Sequence, residues 1–241
     1  MKIIHLYSPN YSRKKRSINS IKFIIIHYTG MQSERESIKR LCSPSSKVSS
    51  HYLVNRKGEI FNFIKDLSVA WHAGKSRWGK YKNLNENSIG IELVNKGHAF
   101  GYKKFKKKQI LSLIKLSKIL VKKYKIKKKY ILGHSDIAPL RKIDPGEKFP
   151  WKYLASKKLG IWHQYNNVVL KKNRKINILS KKNKKYFFKN LNKIGYCVSG
   201  NNKSFLIKTI KAFQRHFRKE LINGILDQEC FMIAQDLSKK V

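Results

Sequence analysis

Apolar positions along this chain of 241 residues fall into two rhythms, alternating runs in the first two thirds and helical spacing between and after them. The β-branched run Ile21–Ile26 (IKFIII) predicts a strand buried on both faces. It ends at His27-Tyr28-Thr29-Gly30. Ser33–Leu41 reads as a short helix and Cys42–Ser50 as a Ser-rich loop. His51–Val54 and Glu59–Ile64, joined by Asn55-Arg56-Lys57-Gly58, predict a hairpin. Trp71–Asn87 has little periodicity and several Gly and Asn, so a surface loop is expected. Ser88–Asn95 (SIGIELVN) predicts a central strand. Lys106–Tyr124 repeats Ile110, Leu113, Ile114, Ser117, Leu120 and Val121 at helical spacing, with lysines on the other face. Tyr130–Gly133 is another short strand, and His134–Pro150 a long loop. Strands alternating with helices predict an α/β fold, a mixed central β-sheet flanked by helices.

The texture changes after Trp162. Asn166–Lys185 is polar and Lys/Asn-rich, which suits a linker. Lys184–Leu191, Phe205–Phe217 and Gln228–Leu237 then read as helices, a small all-α C-terminal module near the lower size at which a domain folds alone. The expected division is a catalytic-sized domain over residues 1–170 and a helical domain over 180–241.

Charge changes this picture less than its size suggests. Lys+Arg number 55 against 13 Asp+Glu, a formal net charge of +42. Such an excess points first to nucleic acid or an anionic surface. Lys, Ile and Asn are abundant together, however, a composition that AT-rich coding alone produces. At 41% hydrophobic and 12% aromatic the chain has the material for a core and is no disordered basic tail. It has no apolar run near the ~18 residues of a transmembrane helix. Cys42, Cys197 and Cys230 are odd in number and far apart, and read as free thiols in a reducing compartment. Met1–Tyr7 is apolar only briefly before Arg13-Lys14-Lys15-Arg16, so no secretory pattern or lipoprotein anchor is visible and a cytoplasmic location is expected.

Reacting groups in α/β sheets gather at strand ends and the loops after them. His27 follows one predicted strand, His134 follows another, and Asp144 lies ten residues further on in a Pro/Gly loop. Two imidazoles and a carboxylate leave a fourth tetrahedral position open, the pattern of a catalytic zinc. The same residues also fit two hydrogen-bonded histidines and a turn-forming aspartate. Glu92, inside Ile89-Gly90-Ile91-Glu92-Leu93, is either a buried carboxylate suited to a general base or a solvent-facing residue of an alternating strand. Lys142 reads either as one more solvated lysine among many or as an ammonium that stabilises oxyanion charge beside Asp144. Four of the acids (Glu220, Asp227, Glu229, Asp236) lie in the last third, so each carboxylate retained before them draws interest.

Five segments in order are Phe23–Gly30 (FIIIHYTG), Val48–Val54 (VSSHYLV), Ala70–Gly74 (AWHAG), Leu84–Asn95 (LNENSIGIELVN) and Gly133–Trp151 (GHSDIAPLRKIDPGEKFPW). Together they resemble the zinc-dependent N-acetylmuramoyl-L-alanine amidases of the AmpD and AmiD type, and look most like the AmiD branch. The resemblance covers about residues 20–160. It implies that His27, His134 and Asp144 bind one Zn²⁺, that Glu92 is the catalytic glutamate, and that Lys142 stabilises the tetrahedral intermediate. It further implies that His51, Trp71 and His72 line the substrate groove. Some relatives carry a tyrosine just before the His51 position, whereas this chain has Ser50, which favours Glu92 as the base. Phe213-Gln214, Phe217, Gly224 and Asp227 resemble the pattern of helical peptidoglycan-binding modules.

The activity so implied is hydrolysis of the amide between the lactyl group of N-acetylmuramic acid, or its 1,6-anhydro form, and L-alanine of the stem peptide. The expected partner is peptidoglycan or a muropeptide, with no specific nucleic acid, no transmembrane segment and a monomeric state. The alternative is a non-catalytic peptidoglycan-binding protein on the same scaffold, and such relatives typically lack a zinc ligand. The AmiD branch is typically a periplasmic outer-membrane lipoprotein, which sets the resemblance against the cytoplasmic expectation.

Overall fold

The structure is a computed structural model and describes residues 2–178, 180–198 and 202–241. In chain order its elements are β1 (Ile3–His5), β2 (Tyr11–Ser12), β3 (Phe23–Tyr28), α1 (Glu34–Cys42), β4 (Tyr52–Val54), β5 (Ile60–Asn62), β6 (Val69–Ala70), β7 (Arg77–Trp78), β8 (Tyr81–Lys82), β9 (Ser88–Leu93), α2 (Lys107–Tyr124), β10 (Ile131–Gly133), α3 (His134–Ile137), α4 (Trp151–Ser156), α5 (Asn167–Asn173), α6 (Lys181–Ile194), α7 (Lys203–Phe217) and α8 (Gln228–Ser238). The main sheet has the order β1-β5-β4-β9-β3-β10. β4 and β5 form the expected antiparallel hairpin, and the pairs β4–β9, β9–β3 and β3–β10 are parallel. The sheet is therefore mixed, as the sequence predicts.

The alternation along β3 and β9 assigns one set of residues to each face. Ile24 and Ile26 of β3, with Ile89, Ile91 and Leu93 of β9, pack under the apolar stripe of α2, including Ile110, Leu113, Leu116 and Leu120. On the opposite face Phe23 and Ile25, with Leu132 of β10, join a second cluster with Phe187, Leu191, Phe213, Phe217 and Ile233 of α6, α7 and α8. Each such residue buried to within a few per cent contributes about 1.5–3 kcal/mol. The C-terminal helices thus cover the sheet face from which, further along the same strands, His27 and Glu92 project.

Four expectations shift. The first strand begins at Phe23 rather than Ile21 and runs on through His27 to Tyr28, because the parallel ladder with β9 continues to the pair Tyr28–Leu93. Trp71–Asn87 is no plain surface loop: β7 and β8 pair within it, and Trp78 and Leu84 are buried. The long loop His134–Pro150 opens with α3. The polar stretch Asn166–Lys185 contains α5, whose first turn is capped where the Asn166 side chain accepts from Val169 N–H at 2.9 Å. Among the described residues of this stretch only Leu170 and Ile178 are buried, which leaves little apolar signal to read, and Leu179 within it lies outside the described residues. The three cysteines are free, as expected.

Candidate metal and catalytic site

His27 is the fifth residue of β3 and stands directly across from Glu92 in the β3–β9 register. His134 is the first residue of α3, immediately after β10, whose Gly133 pairs with Ile26. Asp144 returns on the loop after α3, tied back by Ser135 N–H donating to its carbonyl at 2.9 Å. Three separate segments thus converge on one point. His27 Nδ1 lies 3.0 Å from His134 Nδ1 and 3.1 Å from Asp144 Oδ2, and His134 Nδ1 lies 3.2 Å from the same oxygen. All three side chains are buried, and the group could hold a metal ion.

The protons around this triangle can be traced. The Ser88 hydroxyl donates its one hydrogen to Leu84 C=O, so toward His72 Nε2, 3.1 Å away, it accepts. A neutral His72 with its proton on Nε2 presents a bare Nδ1. Across 3.0 Å that nitrogen must accept from His27 Nε2–H. His27 Nδ1 then carries no proton. His134 Nε2–H donates to Ala73 C=O at 3.2 Å, which leaves its Nδ1 bare as well. Burial, reinforced by the neighbouring His134, pulls the His27 pKa down to about 4, and burial holds His72 lower than usual, so both rings are neutral near pH 7.

Two nitrogen lone pairs and a carboxylate oxygen facing one another in a buried pocket repel unless a cation stands among them. The donors are of the kinds that suit zinc, and ligands about 2.0–2.1 Å from one tetrahedral centre stand roughly 3.4 Å apart, close to the spacing here. The second hydrogen bond of each imidazole is the usual support for a ligating histidine. The chain therefore fits a metal at this position.

Glu92 projects beside the triangle. Its Oε2 is shielded from solvent and has no hydrogen-bond partner among the described residues. Burial, with the Asp144 charge adding to it, pushes the carboxyl up to about 8, against the pull of the Lys142 ammonium. Ser88 and Gly90 lie on the same face of β9 as Glu92 by strand alternation. A Cβ on Gly90 would sit 2.5 Å from Cγ of His72, so this glycine makes room for the ring.

The residues expected in the groove divide. Trp71 is exposed on the segment leading to the site, its N–H donating to Ser49 Oγ at 2.8 Å. His72 is buried behind His27. His51 is fully buried, with Gly90 N–H donating to its Nδ1 at 3.0 Å and the Arg16 guanidinium 2.8 Å from its Nε2. Both interior histidines support the sheet and the site from beneath. Ser50 is also buried and donates to Gly90 C=O at 2.8 Å, so both neighbours brace the glycine strand.

Ser88, Gly90, Asp136 and Arg141 also support the site, although no motif in the sequence singles them out. Ser88 and Gly90 carried a signal, being the small and polar positions that alternate with Ile89, Ile91 and Leu93. Asp136 is one of the few acids in the basic first two thirds, and it is 2% exposed. Arg141 donates to Lys75 C=O at 2.9 Å and thereby ties the loop before Asp144 to the segment after His72; nothing in its local pattern distinguished it from the surrounding cations.

Known proteins share this chain's sequence and fold. Residues 17–147 match the N-acetylmuramoyl-L-alanine amidase family. The chain is 37% identical to the N-acetylmuramoyl-L-alanine amidase AmiD of Escherichia coli, over 91% of this chain and 83% of that one. It is 33% identical to the 1,6-anhydro-N-acetylmuramyl-L-alanine amidase AmpD of Haemophilus influenzae, over 64% of this chain and 91% of that one. The solved structure of E. coli AmiD with the substrate anhydro-N-acetylmuramic acid-L-Ala-D-γ-Glu-L-Lys superposes with a TM-score of 0.82, covering 95% of this chain and 93% of that one at 34% identity. Family match, overall identity and fold agree, and this chain belongs to the N-acetylmuramoyl-L-alanine amidase family.

Proposed function

We propose that His27, His134 and Asp144 hold one zinc ion, and that Glu92 and Lys142 act beside it in hydrolysis of the amide between the lactyl group of N-acetylmuramic acid, ordinary or 1,6-anhydro, and L-alanine of the stem peptide. The observation that carries this reading is the buried triangle of two bare Nδ1 atoms and one carboxylate oxygen within 3.0–3.2 Å of each other. A zinc ion there supplies a Lewis acid that polarises the scissile carbonyl and lowers the pKa of water.

The chain's own groups do the rest. Glu92, at its unpartnered Oε2, takes the proton of the attacking water and returns it to the departing L-alanine amine. Burial raises its pKa in the metal-free chain, the direction that strengthens a carboxylate as a base. Lys142 sets a positive charge near Glu92 and His27, where oxyanion charge develops. Trp71 offers an exposed aromatic face to the substrate. His72 and Ser88 keep the proton on the far side of His27. The helices from residue 180 onward are proposed as a second unit with affinity for peptidoglycan. Among the described residues no helix is long and apolar enough to cross a membrane.

The test is release of stem peptide from purified muropeptides. Activity should vanish with a chelator and return with zinc, and activity indifferent to the chelator would overturn the metal assignment.

A further inference from the structure

Asp136 is buried on α3, two residues after His134, where a carboxylate is costly unless donors surround it. Its Oδ2 accepts from Gly133 N–H at 2.7 Å, at the residue just before His134. The other two donors come from the C-terminal region, one just past α6 and one on α7. The Tyr196 hydroxyl, just past α6, donates to Oδ1 at 2.6 Å. His216 Nδ1 on α7 donates to Oδ2 at 2.7 Å. Both rings are fixed in turn. Tyr196 packs edge-on against Trp78 with centroids 4.7 Å apart. His216 stacks on Trp151 at 3.8 Å, and Trp151 opens α4 directly after the loop that carries Asp144.

We infer that Asp136, clamped by Tyr196 and His216, is a positioning residue for His134, and that the C-terminal helices are structurally part of the metal site. This rests on the reading of His27, His134 and Asp144 as the metal donors. Gly133 is squeezed between the Asp136 carboxylate and the loop beyond, for a Cβ there would lie 2.7 Å from Pro145 Cδ and 3.2 Å from Trp151 Cζ2. With its N–H pinned by Asp136, the backbone entering His134 has one setting. Without the donors Tyr196 and His216 the carboxylate turns toward other partners, Gly133 N–H loses its acceptor, and the imidazole drifts from its 3.0 Å approach to His27. Metal sites respond strongly to such loss of support.

The experiment uses the full chain with Tyr196→Phe, His216→Phe and His216→Asn. Each phenylalanine keeps a ring and removes one donor, whereas asparagine restores an N–H near the position of Nδ1. Zinc affinity is measured by chelator competition, alongside the melting temperature of the metal-free protein and kcat and KM on a muropeptide. Each phenylalanine variant is expected to bind zinc about tenfold more weakly and to lose kcat with KM nearly unchanged, and His216→Asn to recover most of both. Phenylalanine variants that melt earlier yet bind zinc as the parent does would overturn the inference and leave the clamp as a fold contact alone. Failure of the parent chain itself to bind zinc would overturn the metal reading beneath it, a separate outcome visible before any variant is made.

Discussion

Nε2 of His27 lies 3.0 Å from Nδ1 of His72, on the side of the ring turned away from His134 and Asp144. Because Ser88 can only accept from His72, a serine hydroxyl two rings away decides which nitrogen of His27 is bare. The site's donor set is thus prepared by the sheet, ahead of any ligand.

His72→Ala removes that preparation. Zinc affinity should fall about 10–100-fold, the range seen when partners of ligating histidines are lost. Ser88→Ala leaves the imidazole in place but frees its tautomer, and the loss should be smaller. Competition with a chelator of known affinity reads both, and parent-like affinity in His72→Ala would refute the relay.

Gly90→Ala tests the same relationship from the strand. The new Cβ would meet the His72 ring at 2.5 Å, against backbone that β3 and β4 hold from either side. Overpacking of this kind costs about 1–3 kcal/mol, and here it also drives His72 from His27. Melting temperature and zinc affinity should fall together. A loss of stability with zinc affinity intact would show that the ring can yield without disturbing His27.

Much of this was legible in the sequence. The strands around His27 and Glu92 announced themselves because both are apolar and β-branched, and the convergence of His27, His134 and Asp144 could be raised from strand-end positions alone. The roles of His51 and His72 were not legible. A histidine in a groove and a histidine under one look alike in sequence, and only the register of β4 and β9 shows that His51 meets Gly90 N–H. The polar stretch holding α5 escaped for a related reason, since a helix that buries Leu170 alone has no periodic stripe to detect.

Glu92 makes the metal-free protein sensitive to alkali. Its carboxyl is raised from 4.5 to about 8, chiefly by burial. A raised folded-state pKa means the native chain binds more protons than the unfolded one between those values, so stability is full below pH 4.5 and is lost as pH rises through about 8. At 1.36 kcal/mol per unit the loss is on the order of a few kcal/mol. Glu92→Gln should abolish this component, so that the chelated variant equals the parent near pH 4.5 and exceeds it at pH 8. Denaturant titrations at the two pH values decide it, and parallel losses in both proteins would count against a protonated Glu92 in the folded chain. The same variant should retain zinc and lose turnover.

Lys142 separates charge stabilisation from metal binding. It sits on the turn that closes α3, its N–H donating to Ala138 C=O at 3.0 Å, and its charge is felt at both Glu92 and His27. It supplies none of the three donor atoms. Lys142→Met keeps the length of the side chain and removes the cation. Zinc content and KM should stay near parental values while kcat falls about 10²–10³-fold, the usual loss when one oxyanion donor is removed. The positive charge also holds the Glu92 carboxyl down, so in Lys142→Met that pKa should climb and the acid limb of the kcat profile should move to higher pH. Lost zinc with an unshifted pH profile would assign Lys142 to holding the Asp144 loop and not to the reaction.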